Sequence, residues 1–199
     1  MDRRKYTPSN LLCSGAHLHF LRSHDGWEYV RRAKPAQGVV ILAVTDDKRL
    51  LLIEQMRPPL GKAVIELPAG LIDKHETLTA AARRELKEET GYRCGSVKVL
   101  CKGATSPGLA HDQNTLCLAS RLIRTDDFRQ DRQFADGSRK QAQTRGVKSE
   151  KEHLVVWEIP TSHVRKWLDR QTGQGKIIDL RVYAGLFFLG VASSGSHGD

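Results

Sequence analysis

Apolar positions fall along the chain in short runs, and the spacing within those runs predicts mostly strands. Residues 38–45 and 49–56 are rich in Val, Ile and Leu and meet across Asp46-Asp47-Lys48, which predicts a β-hairpin. A further short strand over 63–67 is broken by Pro68-Ala69-Gly70. The period then lengthens to that of a helix from about Thr77 to Thr90, with Gly91 placed as the residue that ends it. Beyond it, 96–103, 114–123 and 154–159 pattern as strands, and 162–170 and 179–189 as helices. Upstream, 16–22 and 27–32 flank a turn at His24-Asp25-Gly26, a second hairpin. Residues 124–151 are polar, mixed in charge and poor in large apolar side chains, so a mobile surface insertion is expected there. The expected organisation is an N-terminal hairpin segment over 1–34, a main domain over 35–192 and a flexible tail over 193–199. The expected class is α+β, a mostly antiparallel or mixed sheet with helices packed on it.

Composition narrows this picture only a little. The chain has 199 residues, 39% hydrophobic and 28% charged, enough for one domain with a real core and ordinary for a soluble protein. Its longest apolar stretches are too short to span a bilayer, and the charged start, Met-Asp-Arg-Arg-Lys-Tyr, is followed by no signal-like apolar run. An intracellular protein is therefore expected, in the cytoplasm first and the nucleus second. Cys13, Cys94, Cys101 and Cys117 form no CxxC pair and are expected to be reduced thiols. The formal charge of +9 favours a polyanionic or phosphate-rich partner. Basic residues are not interleaved with aromatics, so nucleic acid is not the expected one.

The candidate chemistry lies between Gly70 and Tyr92. Five residues separate Gly70 from Glu76, seven more follow, and then comes Arg84-Glu85-Leu86-Lys87-Glu88-Glu89-Thr90-Gly91-Tyr92. From average residue usage, a chance match to this pattern is on the order of one in a million. With Glu85 at zero on a helical wheel, Glu89 falls at about 40° and Glu88 at about 300°, beside Leu78, Ala81 and Ala82. The carboxylates thus share the apolar face, while Thr79, Arg83, Lys87 and Thr90 are expected toward solvent. Clustered acids on a core-facing side repel one another and raise one another's pKa, and a hard divalent cation relieves that repulsion. Arg84 and Glu76 fit a supporting role, because a guanidinium fork fixes carboxylates in orientation. Gly70 permits close backbone approach, which would let the Ala69 carbonyl face the same metal.

This segment is identified as a Nudix box, and from about Trp27 to Gly190 the chain resembles the ADP-ribose pyrophosphatase branch of the Nudix hydrolases. The resemblance runs through Glu54-Gln55-Met56-Arg57-Pro58-Pro59-Leu60-Gly61 and Ile65-Glu66-Leu67-Pro68-Ala69-Gly70-Leu71-Ile72-Asp73. It also includes Ser106-Pro107-Gly108-Leu109, with a proline about fifteen positions past the box. The resemblance implies an α/β/α sandwich, a mixed sheet between helices, and a homodimer in which the N-terminal hairpin reaches the partner's site. It implies Mg²⁺, or Mn²⁺, held by Glu85, Glu88, Glu89 and the Ala69 carbonyl. Catalysis would rest on Glu88, on Arg84 and on a water-positioning acid before the last strand, Glu152 with Glu150 as its rival. Trp27 would stack on adenine, Arg32 and Arg57 would meet the diphosphate and terminal ribose, and Leu71, Pro107 and Gly108 would complete the substrate site. Where the branch has a second stacking aromatic, this chain has His17.

The implied reaction is hydrolysis of ADP-ribose to AMP and ribose 5-phosphate. Two alternatives stand beside it. One is hydrolysis of another nucleoside diphosphate derivative, a sugar nucleotide or an oxidised nucleotide, on the same box. The other is a non-catalytic nucleotide- or RNA-binding regulator, favoured by the charge and disfavoured because every acid of the box is present.

Overall fold

The computed structural model describes residues 8–34, 36–125, 132–144 and 153–191. In chain order the strands are β1 (Pro8–Ser14), β2 (Leu18–Ser23), β3 (Glu28–Arg32), β4 (Gly38–Ala43), β5 (Arg49–Arg57), β6 (Lys62–Glu66) and β7 (Ala69–Leu71). Helix α1 (Leu78–Thr90) follows. Then come β8 (Tyr92–Ala104), β9 (Gln113–Arg124), β10 (Arg132–Gln133), β11 (Arg139–Thr144), β12 (His153–Pro160), α2 (Val164–Gly173), β13 (Ile177–Ile178) and α3 (Leu180–Phe188).

The strands form three sheets. The N-terminal one has the order β1-β2-β3, and it contains the expected hairpin with Gly26 at a φ of 90° in its turn. The added strand β1 was not expected, because Leu11-Leu12 is too short an apolar run to announce it. This sheet is fastened to the 106–111 loop, where the Val30 N–H donates to the Leu109 carbonyl (2.8 Å) and the His111 N–H to the Val30 carbonyl (2.9 Å).

The main body holds a six-stranded sheet, β10-β11-β12-β5-β6-β13, and a four-stranded sheet, β7-β4-β9-β8. Most pairings are antiparallel, whereas β4–β9 and β6–β13 are parallel, so the sheets are mixed. The expected hairpin between β4 and β5 does not form, although the turn does. Both edges of β4 are taken, by β7 and β9, and β5 instead pairs with β6 and β12, so the two runs meet only at the turn, through the bridge Val44↔Leu50 and the bonds between Thr45 and Arg49.

Alternate residues of β4 face opposite cores. Val39, Ile41 and Ala43 pack with Ala81, Ala82 and Leu86 of α1, while Val40 and Leu42 pack with Trp167 and Leu168 of α2 and Val182 and Leu186 of α3. The sheets therefore lie between helices, as expected of the α/β/α sandwich. Full burial of each Val, Ile or Leu among them contributes about 1.5–3 kcal/mol against an exposed one.

Local chemistry sets the limits of α1. The Thr77 hydroxyl accepts from the Ala80 N–H (3.2 Å), and Gly91, at a φ of 74°, donates its N–H to the Lys87 carbonyl (3.0 Å). Thr90 is fully buried rather than solvent-facing, and its hydroxyl is satisfied by the Leu86 carbonyl at 2.6 Å. The next residue but one, Tyr92, sends its hydroxyl to the buried Glu158 of β12 (2.8 Å), which ties the end of α1 to the central sheet.

Within the stretch expected to be an irregular insertion, β10 and β11 form a hairpin that extends the six-stranded sheet. Phe134 between them packs on Trp157, at 5.6 Å between ring centroids. Polar side chains hid these edge strands, since the backbone pairing with β12 needs no apolar alternation. Residues 193–199 of the expected tail lie outside the described residues. Among the described residues no helix is long and apolar enough to cross a membrane.

Candidate active site

The acids of α1 are graded across one flank of the helix. The Glu88 side chain keeps 36% of its surface, Glu85 keeps 14%, and Glu89 turns inward to accept the Ala69 N–H at 2.9 Å. The order follows the wheel, since Glu89 sits closest in angle to the buried stripe of Ala82, Leu86 and Thr90. Burial first of all, with the nearby charges of Glu85 and Glu66 adding to it, pushes the Glu89 carboxyl up to about 8. Burial also raises Glu85, against the pull of Arg84.

Arg84 is the hub of this array. Its Nε and Nη2 donate to the two oxygens of Glu76 (3.0 and 2.9 Å), which holds that carboxyl below its ordinary range. Nη1 donates to Glu85 (2.8 Å) and Glu88 (3.3 Å), and Nη2 also reaches the Leu71 carbonyl (2.9 Å). One guanidinium thus binds the helix to the loop that precedes it. At Gly70 the reason for glycine is steric: a Cβ there would stand 2.0 Å from the Glu85 Cδ. Gly70, expected in a break after the 63–67 strand, lies in β7 paired with Val39, and the β7 backbone and the carboxylate share the space that any larger residue would fill.

Oxygen donors of this kind suit a hard divalent cation, and two carboxyls raised toward their neutral form lack the positive charge that such an ion brings. The residues present therefore fit the group. In their present rotamers Glu85 and Glu88 lean on Arg84, and Glu89 on the Ala69 amide. Among the described residues no three His, Cys, Asp or Glu side chains converge into a metal-holding group.

A second acid, missed in the sequence, lies beside Glu89. Glu66 is 5% exposed and accepts from Gln55 (2.6 Å) and from Arg57, whose Nη2 stands at 2.6 Å and Nε at 3.1 Å. Arg181 approaches its other oxygen at 3.9 Å and is itself paired with Asp179. The available signal was a lone acid closing the apolar run Ala63-Val64-Ile65. Arg57 is therefore placed near the α1 acids, through Glu66.

The remaining site candidates gather on the N-terminal side. Trp27 is 60% exposed, and its Nε1 donates to the Gly108 carbonyl at 2.9 Å, which sets the indole on the Pro107-Gly108 turn. Arg32 pairs with Asp112 at 3.2 Å. Arg32 and Leu71 line the same open groove, of about 1420 Å³, together with Asp73 and Glu76. No hydrogen bond or ion pair joins Trp27 or Gly108 to the acids of α1 among the described residues. His17 is exposed, and its backbone carbonyl accepts from Ala33 (2.9 Å). Glu150 and Glu152 lie outside the described residues.

Residues 34–118 match the NUDIX domain family model. The chain is 37% identical over 93 residues to an ADP-ribose pyrophosphatase of Bacillus subtilis (strain 168), a match covering 47% of this chain and 50% of that one. It is 39% identical over 90 residues to a methanol dehydrogenase activator of Bacillus methanolicus, covering 45% and 49%. An uncharacterized Nudix hydrolase of Schizosaccharomyces pombe is 29% identical over 178 residues, covering 82% and 80%. In the first two matches, the alignment spans about half the length of the curated relative. Among solved structures, one described as an ADP compounds hydrolase shares the fold with a TM-score of 0.62 at 22% identity, over 93% of this chain and 92% of that one.

Proposed function

We propose, on the premise that this is a Nudix-family protein, residues 34–118 of which match the family model, that it is a divalent-metal-dependent diphosphatase hydrolysing ADP-ribose to AMP and ribose 5-phosphate. The observation that carries this reading is the array fixed by Arg84. Three acids share one helix flank, two of them, Glu85 and Glu89, against the β7 backbone at Gly70 and Ala69, and these two are raised toward neutrality. Relatives named as ADP-ribose pyrophosphatases in Bacillus subtilis and Saccharomyces cerevisiae support the choice of substrate.

Glu85, Glu88, Glu89 and the Ala69 carbonyl would hold Mg²⁺ or Mn²⁺, which when bound neutralises diphosphate charge and supplies an activated water. Arg84 keeps Glu85 and Glu88 aimed, and Glu76 in turn keeps Arg84 aimed. Glu152, with Glu150 as rival, orients the attacking water and takes its proton. Trp27 offers adenine an indole face, already oriented by its bond to Gly108. Arg32 and Arg57 meet the diphosphate and terminal ribose, with Leu71 and Pro107 shaping the walls. A homodimer through residues 1–34 belongs to the same reading. It is supported by Leu18 and Phe20, which alternate on one exposed face of β2.

The test is a substrate panel under Mg²⁺, ADP-ribose, ADP-glucose, GDP-mannose and 8-oxo-dGDP, with products identified and the panel repeated on Glu152→Gln. ADP-ribose should be turned over fastest, giving AMP and ribose 5-phosphate, and the variant should lose orders of magnitude in rate. Faster turnover of another compound would replace the substrate reading, and a nearly wild-type variant would move the water-positioning role to Glu150. A mouse relative named as an ADP-sugar pyrophosphatase, 37% identical over 93 residues, makes a broader ADP-sugar range the second reading.

A further inference from the structure

The groove beside the Arg84 network carries more positive charge than its own acids answer. Its acidic side chains are all engaged. Asp112 is paired with Arg32 at 3.2 Å, Glu76 with Arg84 at 2.9 Å, and Asp73 stands 3.8 Å from the same guanidinium. Arg31, Lys34 and Lys74 line the groove as well, and none has an ion pair or side-chain hydrogen bond among the described residues. Lys102 adds to one wall by donating to Gln37, another lining residue, at 3.5 Å.

Local structure fixes the backbone that carries two of these cations. Lys74 sits at the tip of a turn closed from both sides, where the Glu76 N–H donates to the Asp73 carbonyl (3.0 Å) and the Asp73 N–H to the Glu76 carboxylate (3.1 Å). Arg31 lies in β3, paired with His19. Several unmatched cations around one concavity repel one another and draw in an anion. No Phe, Tyr or Trp lines the groove, and the single imidazole there, His111, offers a base far less stacking surface than an indole or phenyl ring. The chemistry that suits such a concavity is a compact anion, and the one a nucleotide carries is a phosphate group.

Since Arg32 and Leu71 line the same groove, we propose that it is a second anion subsite, which takes a phosphomonoester carried by the nucleotide substrate outside its scissile diphosphate. This rests on the substrate reading above and extends it to derivatives with a third phosphate. The phosphate could be borne by either ribose, and the two sources are separable.

The experiment measures kcat/KM under Mg²⁺ for ADP-ribose, its 2′-phosphate on the adenosine ribose and its 1″-phosphate on the terminal ribose. Wild type is compared with the combined Arg31→Ala, Lys34→Ala, Lys74→Ala variant. One phosphorylated compound should exceed ADP-ribose by about tenfold, mainly through KM. The advantage should shrink with added salt and vanish in the variant, whose rate on ADP-ribose itself stays within about twofold. Which compound gains tells which ribose faces the groove. No gain for either compound in wild type, or a gain that survives the triple substitution, would overturn the subsite while leaving ADP-ribose hydrolysis standing. If ADP-ribose is not hydrolysed at all, the substrate reading fails, and thermal protection by inorganic phosphate in EDTA decides the subsite alone. Protection weakened in the triple variant supports it, and equal protection refutes it.

Discussion

Replacing Glu89 by glutamine is expected to stabilise the metal-free protein at alkaline pH, although it removes an acid from the candidate site. The Glu89 carboxyl is pushed from an ordinary 4.5 to about 8, chiefly by burial. For an acid raised on folding the sign is fixed. Below about 4.5 both folded and unfolded chains hold the proton and nothing is lost. Between 4.5 and 8 the unfolded chain releases it while the folded one does not, so stability falls as pH rises, and above about 8 the whole penalty applies. At about 1.4 kcal/mol per tenfold, that interval sets an upper limit of about 5 kcal/mol. Rearrangement of water and side chains around this half-buried charge should leave about 2 kcal/mol. Glutamine keeps an oxygen for the Ala69 N–H and carries no charge. Its advantage should therefore be small near pH 5 and about 4–8 °C in Tm at pH 9, measured by thermal unfolding in EDTA. Added Mg²⁺ should raise the wild type alone and narrow the gap. A gap of equal size at pH 5 and pH 9, or a variant less stable than wild type at pH 9, would refute the argument.

Three further outcomes follow from the same contacts. Arg84→Lys keeps the charge but loses the fork to Glu76 and the bond to the Leu71 carbonyl, so kcat/KM on ADP-ribose should fall by about 10²-fold with little change in Tm, checked by steady-state kinetics beside thermal unfolding. Gly70→Ala forces the Glu85 carboxyl aside, because the new Cβ would lie 2.0 Å from its Cδ; kcat should drop by about 10–100-fold with KM changed far less. Trp27→Ala should raise KM for ADP-ribose by about tenfold and leave kcat within about twofold, as expected of an exposed stacking surface.

What could be read from the residues alone was what local chemistry decides. Thr77 and Gly91 set the ends of α1 to within a residue, and the wheel placed Glu85, Glu88 and Glu89 on one flank because helical geometry is the same everywhere. Thr90 was misplaced since its hydroxyl can bond back to Leu86, which makes a polar residue tolerable in the core. Pairing between distant strands was not legible. The 38–45 and 49–56 runs looked like partners because they are neighbours in sequence, yet each found better-matched edges elsewhere. Glu66 escaped notice for a similar reason: its cation, Arg57, comes from the adjacent strand, and nothing in a linear pattern joins them. The groove draws on residues 31–34 and 36–37, on 71–74, 76 and 78, and on 111–113, segments that only the folded chain brings together.

The two-sided burial of β4 has a consequence for how this protein can change over generations. A strand with one wet face tolerates replacement at every second position, and a mutational scan across it shows a striped profile. In β4, and at 50–53 of β5, both faces are dry, so the profile should be an unbroken block in which even Val-to-Thr exchanges are selected against. Drift would be channelled instead into the exposed half of β8, the outer face of the N-terminal sheet and the groove-lining cations. Lineages of this fold would then diverge at the rim, where ligands are chosen, while the slab that holds the helix of acids stays nearly fixed.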